Sequence, residues 1–260
     1  MNIATFNANS VRVRLPQILA WLDAGHADVL CIQETKVQDK DFPEAPIREA
    51  GYYVVYRGQK AHAGVAMISR EEPQDVAFGL ADGDEPDEPR LLRARVGGIA
   101  IVNTYVPQGR QVDSPHFDYK LRWFERMHAF FERFYSPDES LIWVGDLNVA
   151  PEPIDIHDPK GNKDHVDFHP LAREALARVK EWGFVDVFRS HHPDEPDHYT
   201  YWDYRARNPV ERKKGWRVDH VYATQCLADR STGSWIDTDA RQVERPSDHT
   251  FLVAQFRDEG

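Results

Sequence analysis

The sequence predicts an α/β sandwich, in which two packed β-sheets are covered by helices on their outer faces. Short β-rich runs recur from one end of the 260-residue chain to the other. Only three long helical patterns lie between them, too few to alternate one-for-one with the strands. Neither an internal repeat nor a flexible linker divides the sequence, so residues 1–260 are expected to form one domain.

The strand prediction depends on short runs that are mostly rich in Val, Ile, Tyr and Phe and are bounded by Gly, Pro or Asp. These runs are Asn2–Phe6, Val29–Ile32, Tyr52–Tyr56, Val65–Ser69, Leu91–Val96, Ile99–Tyr105, Leu141–Val144, Tyr199–Tyr204, Val218–Ala223 and Phe251–Phe256. The Gly97-Gly98 pair lies between two of the runs and predicts a β-hairpin.

The three helices are predicted from apolar residues that recur on one helical face. The pattern spans about residues 13–24, 118–135 and 171–182. Pro170 precedes the third pattern and suits the first position of a helix.

Composition excludes a membrane-spanning protein and a disulfide-stabilised one. Hydrophobic residues make up 41% of the chain, enough for a sizeable core, but no apolar run approaches the ~20 residues of a membrane span. The N-terminus has no signal-peptide pattern. Cys31 and Cys226 are too far apart to indicate a disulfide framework or a metal cluster. A cytoplasmic protein is therefore expected.

The net charge of −11 argues against DNA binding through a generally basic surface. An acidic nuclease can still bind DNA if its positive charges are concentrated at the binding site and a divalent cation supplies charge at the scissile phosphate. Part of the acid is concentrated in the run from Asp82 to Pro89, which is interpreted as a solvated loop.

Several predicted strands are bounded by polar side chains, and this is the main functional signal in the sequence. The polar residues at or beside strand ends are Asn7, Gln33, Glu34, Tyr105, Asp146, Asn148, Asp248 and His249, and Asp219 lies within the run Val218–Ala223. Buried carboxylates are costly unless they are paired or bind a cation. If the strand ends converge, they form an acidic pocket whose oxygen ligands favour Mg²⁺ or Mn²⁺ over zinc.

Each of these residues also has a purely structural interpretation. Asp146 and Asn148 could form a capped turn, Glu34 could end a surface strand, and Asp248-His249 could simply precede one. His220 is expected to point to the face opposite Asp219 and to be structural. Only the ordered combination over the whole chain favours a catalytic site.

That combination resembles the exonuclease III family of the endonuclease/exonuclease/phosphatase superfamily. The resemblance covers essentially residues 1–256. The matching segments are 33–36, 64–66, 105–109, 145–149, 154–155, 183–189, 199–202, 215–219 and 247–249. It implies a four-layer α/β sandwich of the DNase I type, with two mixed β-sheets packed face to face. The chain departs from many members at Ser10, where they have Gly, and at Ala63, where they have an aromatic residue.

The resemblance also implies roles at a Mg²⁺ or Mn²⁺ site. Glu34 would be the main metal ligand, with Asn7 close to the ion and Asp248 as a further ligand. Asp146 would orient or deprotonate the attacking water, assisted by Asn148. His249 would contact the phosphate, and Asp219 would accept the other ring N–H of that histidine. Tyr105 would donate a hydrogen bond to a phosphate oxygen.

The substrate implied by the resemblance is duplex DNA with abasic sites or 3′ ends, bound by a monomeric enzyme. Asn162 and Lys36 match positions that contact DNA. Tyr201, Trp216 and Val218 match an apolar pocket for the extruded abasic sugar, whose extrusion costs less than that of a stacked nucleotide.

Two other functions remain open from the sequence. Phosphatases and phosphodiesterases acting on phosphoinositides or sphingolipids share the metal carboxylate, the Gly-Asp-x-Asn-like element and the terminal Asp-His, whereas Tyr105, Trp202 and Trp216 favour the DNA branch. A non-catalytic DNA-binding relative should have lost Glu34, Asp146 or His249, and this chain retains all three.

Overall fold

Twelve strands form the framework of the protein, for which the computed structural model describes residues 1–84 and 88–257. The strands are β1 (Asn2–Asn7), β2 (Val29–Gln33), β3 (Tyr53–Arg57), β4 (Val65–Ser69), β5 (Gln74–Phe78), β6 (Leu91–Val96), β7 (Ile99–Tyr105), β8 (Leu141–Asp146), β9 (Phe184–Asp186), β10 (Asp219–Thr224), β11 (Ser231–Asp237) and β12 (Phe251–Phe256). Residues 85–87 of the predicted acidic loop lie outside the described residues.

The strands form two six-stranded mixed sheets. The first sheet has the order β11-β12-β1-β2-β4-β3, and the second has the order β5-β6-β7-β8-β10-β9. Each sheet contains one parallel pair, β1 with β2 and β7 with β8, among otherwise antiparallel neighbours. Val96 pairs with Ile99 across the predicted Gly97-Gly98 turn, which confirms the hairpin.

The helices are α1 (Val11–Asp23), α2 (Glu44–Glu49), α3 (Pro115–Phe134), α4 (Pro170–Lys180), α5 (Val187–His191) and α6 (Gln225–Ala228), with short 3₁₀ turns at Asp39–Asp41, Pro153–Asp155 and Asp239–Arg241. Helices α1 to α4 cover the outer faces of the two sheets, whereas the short α5 and α6 contribute Val187, Phe188 and Leu227 to the core between the sheets. The three long predicted helices correspond to α1, α3 and α4. None of the helices in the described part of the chain is long and apolar enough to cross a lipid bilayer.

Three apolar layers follow from this stacking. One core lies between the two sheets and includes Cys31, Ile101 and Val144. A second core packs α1 and α2 on the first sheet, and a third packs α3 and α4 on the second. The order helix, sheet, sheet, helix confirms the predicted four-layer sandwich.

One strand prediction is wrong. Residues 199–204 form no strand, and Tyr201 only makes isolated β-bridges to Trp216 and His249. Of its aromatic residues, Tyr201 lines a cavity, whereas Tyr199 and Trp202 are buried in the interior. Three strands were missed, and all three lie at or beside a sheet edge with few buried apolar residues: β5, β9 and β11.

The strand directions place the polar strand ends at one edge of the sandwich. The carboxyl ends of parallel β1 and β2 bring Asn7 next to Gln33, and those of β7 and β8 bring Tyr105 next to Asp146. Antiparallel β10 begins at the same place, because Asp219 pairs with Asp146. Strand β12 begins just after His249, alongside the end of β1.

Candidate active site

Asn7 lies at the centre of the site and links two carboxylates. Its side-chain Nδ2 donates to Oε1 of Glu34 and to Oδ2 of Asp146, both at 2.8 Å. Its Oδ1 accepts the backbone N–H of Asn9 at 2.9 Å, and this donor fixes the orientation of the amide. The predicted proximity of Asn7 to Glu34 is present, but the group that faces the carboxylates is a donor rather than a metal-binding oxygen.

Glu34 is an ionised carboxylate surrounded by donors. Lys36 Nζ lies 2.6 Å from its Oε2. Burial opposes the ionisation of Glu34, but Lys36, Asn7 and His249 outweigh it and lower its pKa. The same carboxylate lies beside Tyr105, whose phenol pKa is raised by burial and by the negative charges of Glu34 and Asp146. The Tyr105 hydroxyl therefore remains protonated and able to donate.

Asp146 is buried and held on both of its oxygens. The backbone N–H of Asn148 donates to Oδ1 at 2.9 Å, and Asn7 donates to Oδ2. Burial raises the pKa of Asp146, the charges of Asp219 and Glu34 raise it further, and His249 and Asn7 only partly oppose them. Gly145 is required before it, because a side chain there would lie 2.0 Å from the carbonyl oxygen of Thr104 on β7.

Asp219 and His249 form a buried pair. His249 Nδ1 donates to Oδ2 of Asp219 at 2.8 Å, and its Nε2 faces Asp146 Oδ2 at 3.8 Å. Burial disfavours the charged imidazole, but the carboxylates of Asp219 and Asp146 outweigh it and raise the pKa of His249. The pair therefore presents a protonated Nε2 toward Asp146, with its tautomer fixed by Asp219.

Asp248 completes the acidic group at the ends of β1 and β2. Its Oδ1 accepts from Asn9 Nδ2 at 2.9 Å, and Asn9 Oδ1 accepts from Lys36 Nζ at 2.5 Å. Asn9 thus links Asp248 to Lys36 and, through it, to Glu34. The sequence interpretation did not identify Asn9; its signal was only its position two residues after Asn7.

These side chains open into one cavity of about 610 Å³, called here the main cavity. Its acidic end is lined by Glu34, Tyr105, Asp146, Asn148, Asp248 and His249. Its other wall contains Tyr201, Trp216 and Val218, which belong to a small apolar cluster with Ile156 and Phe168. The three predicted pocket residues therefore lie together and face the predicted catalytic residues.

The predicted DNA-contacting residues separate into two places. Asn162 lines the main cavity, with its Nδ2 bound to the carbonyl oxygen of Asp158 at 2.8 Å. Lys36 instead lines an adjoining cavity of about 550 Å³ that also contains Ala63. Cationic side chains that the sequence interpretation did not select surround the two cavities: Arg90, Arg110, Arg205 and Lys214.

Two buried residues position the site from behind, and neither has a clear sequence signal. Thr200 Oγ1 accepts the backbone N–H groups of Val218 and Asp219, both at 3.1 Å. Lys120 is fully buried on α3, and its Nζ donates to the carbonyl oxygens of Gln108, Asn148 and Val166. By contrast, His220 lies on the opposite face of β10, bound to Arg217 and to the carbonyl oxygen of Val149, as predicted for a structural residue.

The residues at the acidic end fit a hard divalent cation. Glu34 and Asp248 supply carboxylate oxygens, the donor type that Mg²⁺ and Mn²⁺ prefer. Within residues 1–84 and 88–257, the buried Oδ1 of Asp219 has no hydrogen-bond partner. Ligand atoms of Asp146, Asp219 and His249 also lie within 4.8 Å of one another. A buried acidic group of this kind is unfavourable without a compensating positive charge.

Comparison with known proteins agrees with the geometry of the site. Residues 4–249 match the endonuclease/exonuclease/phosphatase family. The chain is 30% identical to exodeoxyribonuclease III of Haemophilus influenzae, over 99% of this chain and 100% of that protein. The structure of an AP endonuclease from Archaeoglobus fulgidus superposes with a TM-score of 0.96 and 48% identity, covering 98% of this chain and 99% of the other. The structure of the 3′ phosphatase NExo from Neisseria, bound to a product DNA hairpin, superposes with a TM-score of 0.94 and 34% identity, covering 99% of each chain. The chain therefore belongs to the exonuclease III family within the endonuclease/exonuclease/phosphatase superfamily.

Proposed function

We propose that the protein is a Mg²⁺- or Mn²⁺-dependent DNA repair nuclease. It hydrolyses phosphodiester bonds at abasic sites, removes nucleotides from 3′ ends of duplex DNA, and removes 3′ phosphates. The observation that carries this proposal is the convergence of Glu34, Asp146 and His249 on one cavity with an apolar wall at Trp216. The relatives named for exodeoxyribonuclease, AP endonuclease and 3′ phosphatase activity support the same reaction class.

Glu34 and Asp248 would hold the cation, and Asn7 would keep Glu34 and Asp146 apart and oriented. When bound, the cation would neutralise charge that develops on the phosphate and on the leaving oxygen. Lys36 already neutralises Glu34 in part, at 2.6 Å. Its ammonium would turn to the phosphate when the cation takes its place on the carboxylate.

Asp146 would accept a proton from the attacking water. Its raised pKa suits this role, because a base is most effective when its pKa is close to the working pH. Its two oxygens are held by Asn7 and Asn148, so the carboxylate has one orientation.

The phosphate would be bound by the protonated His249 and by the hydroxyl of Tyr105, with Asn162 contacting it from the far wall of the main cavity. Asp219 would act through His249, by fixing its tautomer and favouring its charged form. These donors stabilise the additional negative charge of the transition state.

Tyr201, Trp216 and Val218 would receive the extruded abasic sugar. A nucleotide without a base leaves the helix at lower cost, and the apolar wall would supply the binding energy for the exposed sugar. Arg110, Arg205 and Lys214 would contact the flanking DNA backbone. Such a local group of cations accounts for DNA binding by a chain of net charge −11.

The proposed working form is a monomer in the cytoplasm that associates with the nucleoid when it is bound to DNA. One chain supplies every residue named above. Cys31 and Cys226 are free thiols, as suits a reducing compartment.

Removal of the cation tests the reaction class. EDTA should abolish incision of an abasic duplex, and Mg²⁺ or Mn²⁺ should restore it. Glu34→Gln should raise the Mg²⁺ concentration needed for half-maximal rate, whereas Glu174→Gln, on the exposed face of α4, should leave it unchanged. Full incision by the chelator-treated protein would exclude the proposed metal site.

A further inference from the structure

A group of two histidines and one glutamate lies outside the proposed active site. His192, Glu195 and His198 follow helix α5, and their ligand atoms lie within 4.8 Å of one another. Oε2 of Glu195 is 2.9 Å from His192 Nδ1 and 3.1 Å from His198 Nε2. All three side chains are partly accessible to solvent, so a ligand can reach them.

The hydrogen bonds of His192 leave its Nδ1 facing an acceptor. Its Nε2 lies 2.8 Å from the carbonyl oxygen of Ser234, which can only accept, so this nitrogen carries the proton in the neutral ring. The neutral Nδ1 then presents a lone pair to the Glu195 carboxylate, which also accepts. Two acceptors at 2.9 Å need a positive charge between them: either a second proton on His192 or a cation.

The surrounding structure holds both imidazoles in place. The fully buried ring of Phe188 stacks on His192 at 4.6 Å and meets His198 edge-on at 5.4 Å. Arg189 donates from Nη1 to the carbonyl oxygens of His192 and Glu195, at 2.9 and 2.8 Å. The three ligand groups are therefore brought together by packing on Phe188 and by hydrogen bonds from Arg189.

We propose that His192, Glu195 and His198 bind a divalent transition metal ion of the zinc class. Imidazole nitrogen with one carboxylate is a donor set that suits Zn²⁺ and its neighbours rather than Mg²⁺. Ligands of a tetrahedral zinc ion lie ~3.3 Å apart when each is 2.0–2.1 Å from the metal. The two Glu195 distances are close to that separation. The Ser234 carbonyl would fix the tautomer of His192, as carbonyls do for many metal-binding histidines.

The bound ion would fix the beginning of the segment that reaches the main cavity. Asp197 binds Tyr199 and Lys213, and the chain continues through Thr200 to Tyr201 on the cavity wall. An ion that joins residues 192 and 198 closes the turn before this segment. It is expected to stabilise the folded chain, since a ligand that binds only the folded state shifts the unfolding equilibrium.

The test is titration of the full-length, metal-stripped protein with Zn²⁺ alone, in a Glu34→Gln and Asp146→Asn background with millimolar Mg²⁺ present. These conditions suppress zinc binding at the proposed active site. Calorimetry should detect binding of one Zn²⁺ ion per chain. The affinity for this ion should fall roughly 100-fold or more in His192→Asn and in His198→Asn. Co²⁺ should give the visible absorption of a tetrahedral site, lost in both variants. His128→Asn is the matched control: this histidine lies 3.6 Å from Glu132 but, within residues 1–84 and 88–257, belongs to no group of three possible metal ligands.

Folding of the variants is checked by their melting temperatures in EDTA, which should equal that of the parent. Glu195→Gln, which keeps the shape of the side chain, serves as a second variant and should also weaken zinc binding. Zinc affinity unchanged in all three variants, or no zinc binding by the parent, would overturn the proposal. Neither result bears on DNA cleavage, which is measured separately.

Discussion

Two buried aspartates show how neighbouring charges decide the chemistry of a carboxylate. Asp155 and Asp146 are both almost completely buried. Burial alone would raise both pKa values, but Arg217 and Arg189 outweigh it at Asp155 and lower its pKa to about 2. Asp146 lies instead among other carboxylates, and its pKa is raised. The first residue is a fixed structural anion, whereas the second can exchange a proton near neutral pH.

Replacement of Asp146 tests its proposed role as a base. Asp146→Asn should reduce the single-turnover rate on an abasic duplex by on the order of 10²-fold or more, while DNA binding remains measurable. In the wild type, the rate should fall as the pH is lowered through the raised pKa of Asp146, because only the ionised form accepts a proton. Near-normal turnover by the variant would remove Asp146 from the chemistry.

Asp219 and His249 are expected to act as one unit, since the imidazole depends on the carboxylate for its tautomer and charge. Asp219→Asn, His249→Asn and the double variant should then show nearly the same loss in single-turnover rate. Losses that simply multiply in the double variant would show two independent residues.

Some features at the residue scale required the structure. The positions of Asn7, Glu34 and Asp146 at strand ends could be predicted, because a polar residue after a buried apolar run is visible in the sequence. The orientation of the Asn7 amide could not, since it depends on the backbone N–H of Asn9. The contact of Lys36 with Glu34 also depends on local backbone geometry, with both residues at positive φ.

At the scale of elements, the central strands were predictable and the edges were not. Strands β4, β6, β7 and β12 match their predicted bounds, because buried strands need continuous apolar runs. The edge strand β5 is largely exposed and has no such run. Residues 199–204 have the composition of a strand for another reason: Tyr199, Tyr201 and Trp202 are needed at a cavity wall and in the core beneath it.

Lys120 connects three separate loops to helix α3. Its ammonium binds carbonyl oxygens of the loops after β7, after β8 and before α4, and it pairs with Asp167 at 3.1 Å. Burial lowers the pKa of Lys120, although the charge of Asp167 opposes the shift. The loop after β8 carries Asn148, so this lysine couples the outer helix to the active site.

Lys120→Met should destabilise the fold by ~3–5 kcal/mol, because it leaves Asp167 and the three carbonyl oxygens without their shared donor. Urea unfolding monitored by tryptophan fluorescence would measure the change. Arg178→Met is the control: its exposed pair with Glu174 on α4 should contribute only ~0.3–0.5 kcal/mol. Equal effects of the two substitutions would contradict the role assigned to Lys120.

At the scale of the whole molecule, two sheets with corresponding parallel pairs create the site. Strands β1 and β2 end at the same edge as β7 and β8, and the antiparallel β10 and β12 begin there. The sequence predicted that such an edge would be acidic if the ends converged. It did not establish the strand order that makes them converge, which the structure supplies.

The charge of the molecule is distributed in agreement with a local DNA-binding surface. The net charge is −11, yet Lys36, Arg90, Arg110, Arg205 and Lys214 gather around the two adjoining cavities. Their position beside the acidic end would allow phosphates to approach carboxylates that would otherwise repel them.

The most direct test of the central claim is a side-by-side rate measurement with Mg²⁺ on three substrates: an abasic duplex, the same duplex without the lesion, and an inositol phosphate. The proposed function predicts rapid incision at the abasic site, slow attack on the intact strand apart from its 3′ ends, and negligible release of phosphate from the inositol phosphate. Brisk hydrolysis of the inositol phosphate without incision of the abasic duplex would contradict it.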